Sequence, residues 1–229
     1  MTPASPLRRT VLNAFVLVAA VAAGIHPAAA APTSGQVTDF FRAVAMDDAR
    51  TVQSLLGAVD PNMPNPVGGE PALVLAVREG AMQVLDVLLR YPGTKVDATA
   101  LNGNTALMLA AFKGNKAAAE ALIAKGASVN RPGWTPLHYA AASGDVDIAR
   151  LLLAHGARID AQSPPASGKF TPLMMAAREG HQDSAEFLLA QGADPSLKNG
   201  EGLTAAGIAK RAEHGAIAAA IDKRATSRR

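Results

Sequence analysis

The 229-residue chain contains no cysteine. No disulfide can hold its fold and no thiolate can ligate a metal, so stability must come from packing. A lipid anchored at a mature N-terminal cysteine is excluded as well. Aromatic residues make up only 4% of the chain, with a single tryptophan, whereas hydrophobic residues overall reach 49%. Alanine fills the gap, which predicts thin helices in close contact and not a bulky globular core. The alanine bias is also that of a GC-rich bacterial genome.

An excess of one charge is missing too. Lys and Arg number 22 against 19 Asp and Glu, and four of the basic residues (Lys223, Arg224, Arg228, Arg229) fall in the last seven positions. Without Arg8 and Arg9 the net charge drops from +3 to +1. A near-neutral body lacks the basic stripe that nucleic-acid binding requires, so no nucleic-acid partner is expected.

Val11 to Ile25 is an apolar stretch of fifteen residues without a charge, Asn13 being its one polar residue. That is short of the roughly 20 apolar residues a membrane-spanning helix needs. Arg8 and Arg9 precede the run, and Ala28-Ala29-Ala30 follow it with small side chains suited to a signal peptidase. Residues 1–30 are therefore expected to be a cleaved signal peptide, cut after Ala30, placing the mature chain in the periplasm or outside the cell and off the membrane. The general secretory route is expected. Arg8-Arg9-Thr10 also resembles a twin-arginine signal, which leaves that route open.

What the remaining chain does have is a repeat. Pro71-Ala72-Leu73-Val74-Leu75-Ala76, Thr105-Ala106-Leu107-Met108-Leu109-Ala110, Thr135-Pro136-Leu137-His138-Tyr139-Ala140 and Thr171-Pro172-Leu173-Met174-Met175-Ala176 align without gaps. Seven residues after each Leu stands a glycine: Gly80, Gly114, Gly144 and Gly180. Eight and nine residues further on comes an apolar pair, Leu88-Leu89, Leu122-Ile123, Leu152-Leu153 and Leu188-Leu189. Threonine can cap a helix N-terminus, proline suits its first position, and glycine suits a left-handed C-terminus. Each unit thus reads as helix–turn–helix. The Leu-to-Leu period runs 34, 30 and 36, and all of that variation falls after the second helix, in a projecting loop or β-hairpin.

These motifs resemble the ankyrin repeat, whose Thr-Pro-Leu-His-x-Ala signature is complete at Thr135 to Ala140. The resemblance implies an all-α solenoid of helix–turn–helix units with β-hairpin or loop fingers, in which no repeat buries its apolar face alone. A repeat domain is expected over residues 37–222, about six units including degenerate caps. Phe40-Phe41 opens the first cap, where Asp47-Asp48 replaces the glycine. Thr204 to Ala209 opens the last, where Glu213 does. Residues 223–229 are expected to form a basic flexible tail.

Catalytic and cofactor chemistry finds little support. The four histidines after the leader (His138, His155, His181, His214) include no pair three or four apart on one helix, so a zinc site is not expected. No nucleophile elbow, phosphate loop or dinucleotide fingerprint occurs, and no cofactor is expected. Asp47-Asp48 and Asp145-Val146-Asp147 sit at the starts of second helices, where carboxylates favour the positive end of the dipole. The resemblance implies that His138 bridges backbone groups of adjacent repeats.

The resemblance also implies a protein partner bound on the concave side. By motif position this side holds Trp134 and Phe170 just before the Thr-Pro step. The pairs before the glycines supply Arg78, Glu79, Phe112, Lys113, Arg178 and Glu179, and Arg211 occupies the matching place in the last unit. Aromatics beside arginines make binding hot spots. The alternative for Trp134 and Phe170 is that they fold back on their own fingers. The expected function is a non-enzymatic protein-interaction module, monomeric on its own, with an unidentified partner. The second class open to it is an inhibitor or immunity protein that blocks a toxin or hydrolase in the same compartment.

Overall fold

The computed structural model describes residues 31–226. The expected signal peptide lies outside them. Twelve α-helices follow one another in antiparallel pairs: α1 (Ser34–Ala45) with α2 (Ala49–Leu55), α3 (Ala72–Glu79) with α4 (Met82–Arg90), and α5 (Ala106–Phe112) with α6 (Lys116–Ala124). Then come α7 (Pro136–Ser143) with α8 (Val146–Ala154), α9 (Pro172–Glu179) with α10 (Gln182–Ala190), and α11 (Ala205–Arg211) with α12 (Gly215–Thr226). The odd-numbered helices pack in series, α1 on α3 through to α9 on α11, and the even-numbered ones form a second layer behind them. The result is a solenoid in which each unit rests only on its neighbours.

Local chemistry sets these boundaries. Thr105, Thr171 and Thr204 each accept a backbone N–H at the start of α5, α9 and α11. Pro136 and Pro172 occupy the first helical position, where no N–H is needed. Gly80, Gly144 and Gly180 end the first helices in the left-handed conformation, with φ of 74°, 77° and 82°. At the two caps Asp47 and Glu213 take the same conformation, φ 55° and 64°, without being glycine. Asp47 gains a partner from it, because its carboxylate accepts the Val84 N–H of the next unit at 2.9 Å. Between helices the signature alanines Ala76, Ala110, Ala140 and Ala176 are fully buried, and Leu88, Leu122, Leu152 and Leu188 fill the seam behind them.

Two expectations need revision. Helix α1 begins at Ser34, ahead of Val37, because Thr33 and Gln36 form a reciprocal capping box. At the other end α12 runs on to Thr226, so Lys223 and Arg224 lie in its last turn and not in a flexible tail; cations there face the negative end of the dipole. Of the two forms expected for the fingers, loop or β-hairpin, the described residues adopt the loop, with only isolated bridges at Leu56–Val59 and Thr99–Thr105. Side chains do the work of a strand ladder. Asn65, Asn102, Asp194 and Asn199 each accept the N–H two residues on. From one finger to the next, Asn62 accepts Lys95 N–H at 2.7 Å, Asp97 accepts Ser128 N–H at 3.1 Å, Asn130 accepts Arg158 N–H at 2.9 Å, and Asp160 accepts Asp194 N–H at 3.0 Å.

Candidate functional site

A groove of about 430 Å³ opens between α5, α7 and α9, on the side of the first helices. Its floor is Tyr139, Ala142 and Met175, and its walls are Phe112 and Trp134 on one side and Arg178 with Glu179 on the other. Tyr139 and Met175 occupy the variable position of the Thr-Pro-Leu-His-x-Ala motif, which faces the groove, while the Leu two residues before it faces the core.

The aromatic wall is held together by ring-to-ring contacts. Phe112 is 53% exposed, and its ring meets Tyr139 edge-on at 6.3 Å and 88°. Trp134 meets Tyr139 at 6.5 Å and 69°, and rests on His138 at 5.2 Å and 78°. The Tyr139 hydroxyl donates to Asn104 Oδ1 of the preceding finger at 2.6 Å. Burial raises the Tyr139 pKa above its ordinary value, with the bond to Asn104 opposing, so the phenol keeps the proton it donates.

His138 is the support under this wall. Its Nδ1 accepts the Thr135 N–H at 3.1 Å, which leaves the proton on Nε2, 2.9 Å from the Phe170 carbonyl of the next unit. It therefore bridges backbone groups between repeats, as the motif implies. Burial lowers its pKa from 6.5 to about 4, so the ring is neutral at physiological pH.

The groove gathers four of the residues expected on the concave side: Phe112, Trp134, Arg178 and Glu179. Lys113 is exposed next to Phe112 but does not line it. Arg78 and Glu79 form an ion pair at 2.8 Å, and Arg78 lines a smaller depression of about 230 Å³ with Phe41, Val67 and Leu75 nearer the N-terminal cap. Arg211 pairs with Glu201 at the last unit. These three residues stand apart from the central groove.

Phe170 does not belong to a contact surface. It is only 9% exposed and sits in the core, so the folded-back alternative describes it correctly. The long finger after α8 explains why. A 3-10 turn (Pro165–Ser167) reverses the chain, Ser163 N–H donates to the Phe170 carbonyl at 2.8 Å, and Phe170 N–H donates to Ser163 Oγ at 2.9 Å. Arg178 then lies over the buried ring at 5.2 Å. Trp134 falls between the two expectations, half-buried on His138 yet lining the groove.

The remaining chemical candidates have structural roles. Asp48 accepts the Thr51 N–H and hydroxyl, and the hydroxyl bond above all lowers its pKa. Asp145 accepts the Ile148 N–H at 2.8 Å. The His181 Nε2 lies 3.0 Å from the Ala142 carbonyl, and His155 caps the C-terminus of α8. Among the described residues no three His, Asp or Glu side chains cluster as a metal site would require. No described helix is long and apolar enough to cross a membrane.

Comparison with known proteins agrees with this architecture. A family model described as ankyrin repeats (3 copies) matches residues 40–132 and 130–199. The chain is similar to neurogenic locus notch homolog protein 1 of Xenopus tropicalis and of Homo sapiens. Each is 38% identical over 112 residues, which is 48% of this chain and 4% of that protein. It is also similar to protein phosphatase 1 regulatory subunit 27 of Mus musculus, 34% identical over 88 residues, 37% of this chain and 57% of that protein. The chain thus spans a small fraction of the first two relatives and little over half of the third.

Proposed function

Because this chain belongs to the ankyrin-repeat family, we propose that it is a non-enzymatic module which binds a protein partner in the groove between α5, α7 and α9. The observation that carries this reading is the concentration of Phe112, Trp134 and Tyr139 there, in a chain with only nine aromatic residues. Aromatics with an arginine at the rim make the kind of desolvated centre that dominates binding energy. The Arg178–Glu179 ion pair, at 2.8 Å, forms the polar edge of that groove. Export supplies the setting: residues 1–30 act as a cleaved leader, and the partner is met in the periplasm or outside the cell. The test is affinity capture from a periplasmic extract with wild-type protein and with Phe112→Ala. A specific partner should be retained by the first and lost by the second.

Similarity to a protein whose name describes a regulatory subunit favours a second form of the same reading. In it the bound partner is an enzyme, such as a toxin or hydrolase of the same compartment, and docking lowers its activity. Loss of the captured partner's turnover on adding stoichiometric protein distinguishes this inhibitor from a scaffold.

A further inference from the structure

We propose that the central pocket of the groove binds an alkylated ammonium group, held between the rings of Phe112, Tyr139 and Trp134 with the Glu179 carboxylate at its edge. A cation within about 6 Å of an aromatic centroid is attracted by the ring quadrupole, and several rings around one cation add their contributions. Here three rings line one pocket and are set at 88° and 69° to their neighbours, so they can surround a rounded group instead of forming a slot for a flat one. Asn104 fixes Tyr139 and His138 fixes Trp134, so little order has to be imposed when a ligand enters.

The charges facing the pocket are consistent with a cation. Both ring nitrogens of His138 are engaged by neighbouring backbone, and the ring brings no charge. Arg178 is the one cationic side chain in the lining, and it is already matched: its Nε and Nη2 both lie 2.8 Å from Glu179 Oε1, and its guanidinium covers Phe170. Glu179 Oε2 receives neither of these bonds. An unmodified ammonium is strongly hydrated and would have to exchange its water for one carboxylate, whereas an alkylated one sheds water readily and offers apolar surface to the rings.

The pocket rests on the same groove as the proposed partner site, but a free ammonium ion needs no partner, so the two readings fail separately. Trp134 is the only tryptophan, which makes its fluorescence a direct reporter. Titration at constant ionic strength compares choline chloride with 3,3-dimethylbutan-1-ol, its uncharged carbon isostere. Choline should give a saturable change, with the isostere at least about tenfold weaker. Phe112→Ala and Glu179→Gln, both at exposed positions, should each weaken choline at least about fivefold with unchanged circular dichroism. A peptide carrying trimethyllysine, set against the same peptide with lysine, identifies the source. Tighter binding than choline assigns the group to a modified protein, and equal binding assigns it to a free small cation. Equal affinity for the isostere, or no saturable response to choline or peptide, overturns the proposal. If partner capture still depends on Phe112 in that case, the partner groove stands without the cation pocket.

Discussion

The imidazole of His181 lies against Gly144 of the preceding unit, so close that a Cβ on Gly144 would stand 2.6 Å from the ring Nδ1. His214 stands over Gly180 in the same way, at 2.7 Å. Glycine is therefore required twice at these positions, once for the left-handed turn and once for the next unit's histidine. Gly156 has a comparable φ of 80° but open space around it. Gly156→Ala should cost about 1–2 kcal/mol for the backbone alone. Gly144→Ala should cost at least about 1 kcal/mol more, because His181 cannot move away without losing its contact with the Ala142 carbonyl. Urea unfolding of the two variants checks this. Equal losses would mean that only the turn conformation matters.

Buried volume gives a second expectation. Leu152 has no exposure, and Leu152→Ala should destabilise by about 2–5 kcal/mol. Phe170→Ala should cost about 3–5 kcal/mol, since its ring is in the core under Arg178. A change below about 0.5 kcal/mol at Phe170 would return it to the surface.

Much of this was legible in the sequence, for physical reasons that also mark the limit. Thr135, Pro136, Leu137 and Gly144 each serve a local need, so their spacing places the helices within a residue or two. Trp134 and Phe170 share one motif position but end differently, because the longer finger at 161–170 folds back through Ser163 and buries the second ring. Motif position carries no information about loop length. Tyr139 is not among the residues that motif position places on the concave side, because it depends on the variable position of the motif facing the groove. The finger ladder leaves a fainter trace: Asp97, Asn130 and Asp160 each follow a Val or Ile at the same point of the repeat.

The fold should carry an acid-sensitive term at His138. Burial lowers its pKa from 6.5 to about 4, so the unfolded chain binds a proton there more readily than the folded one. Stability from this group is complete above pH 6.5, falls as the pH drops towards 4, and changes no further below that. The full difference is at most about 3–4 kcal/mol. Denaturant unfolding at pH 7 and pH 4.5 should show the loss in the wild type, and His138→Gln should flatten it. An unchanged slope in the variant would assign the acid sensitivity to other groups.

The most direct test of the binding groove is the affinity of the captured partner for two sets of variants. Phe112→Ala with Trp134→Ala should weaken the complex by at least about 2 kcal/mol, while thermal unfolding reports an intact fold. Asp86→Ala and Glu120→Ala, exposed on the second helices, should leave affinity within about 0.5 kcal/mol of the wild type. Equal losses from both faces, or none at Phe112 and Trp134, would contradict the account and move the binding site away from the groove.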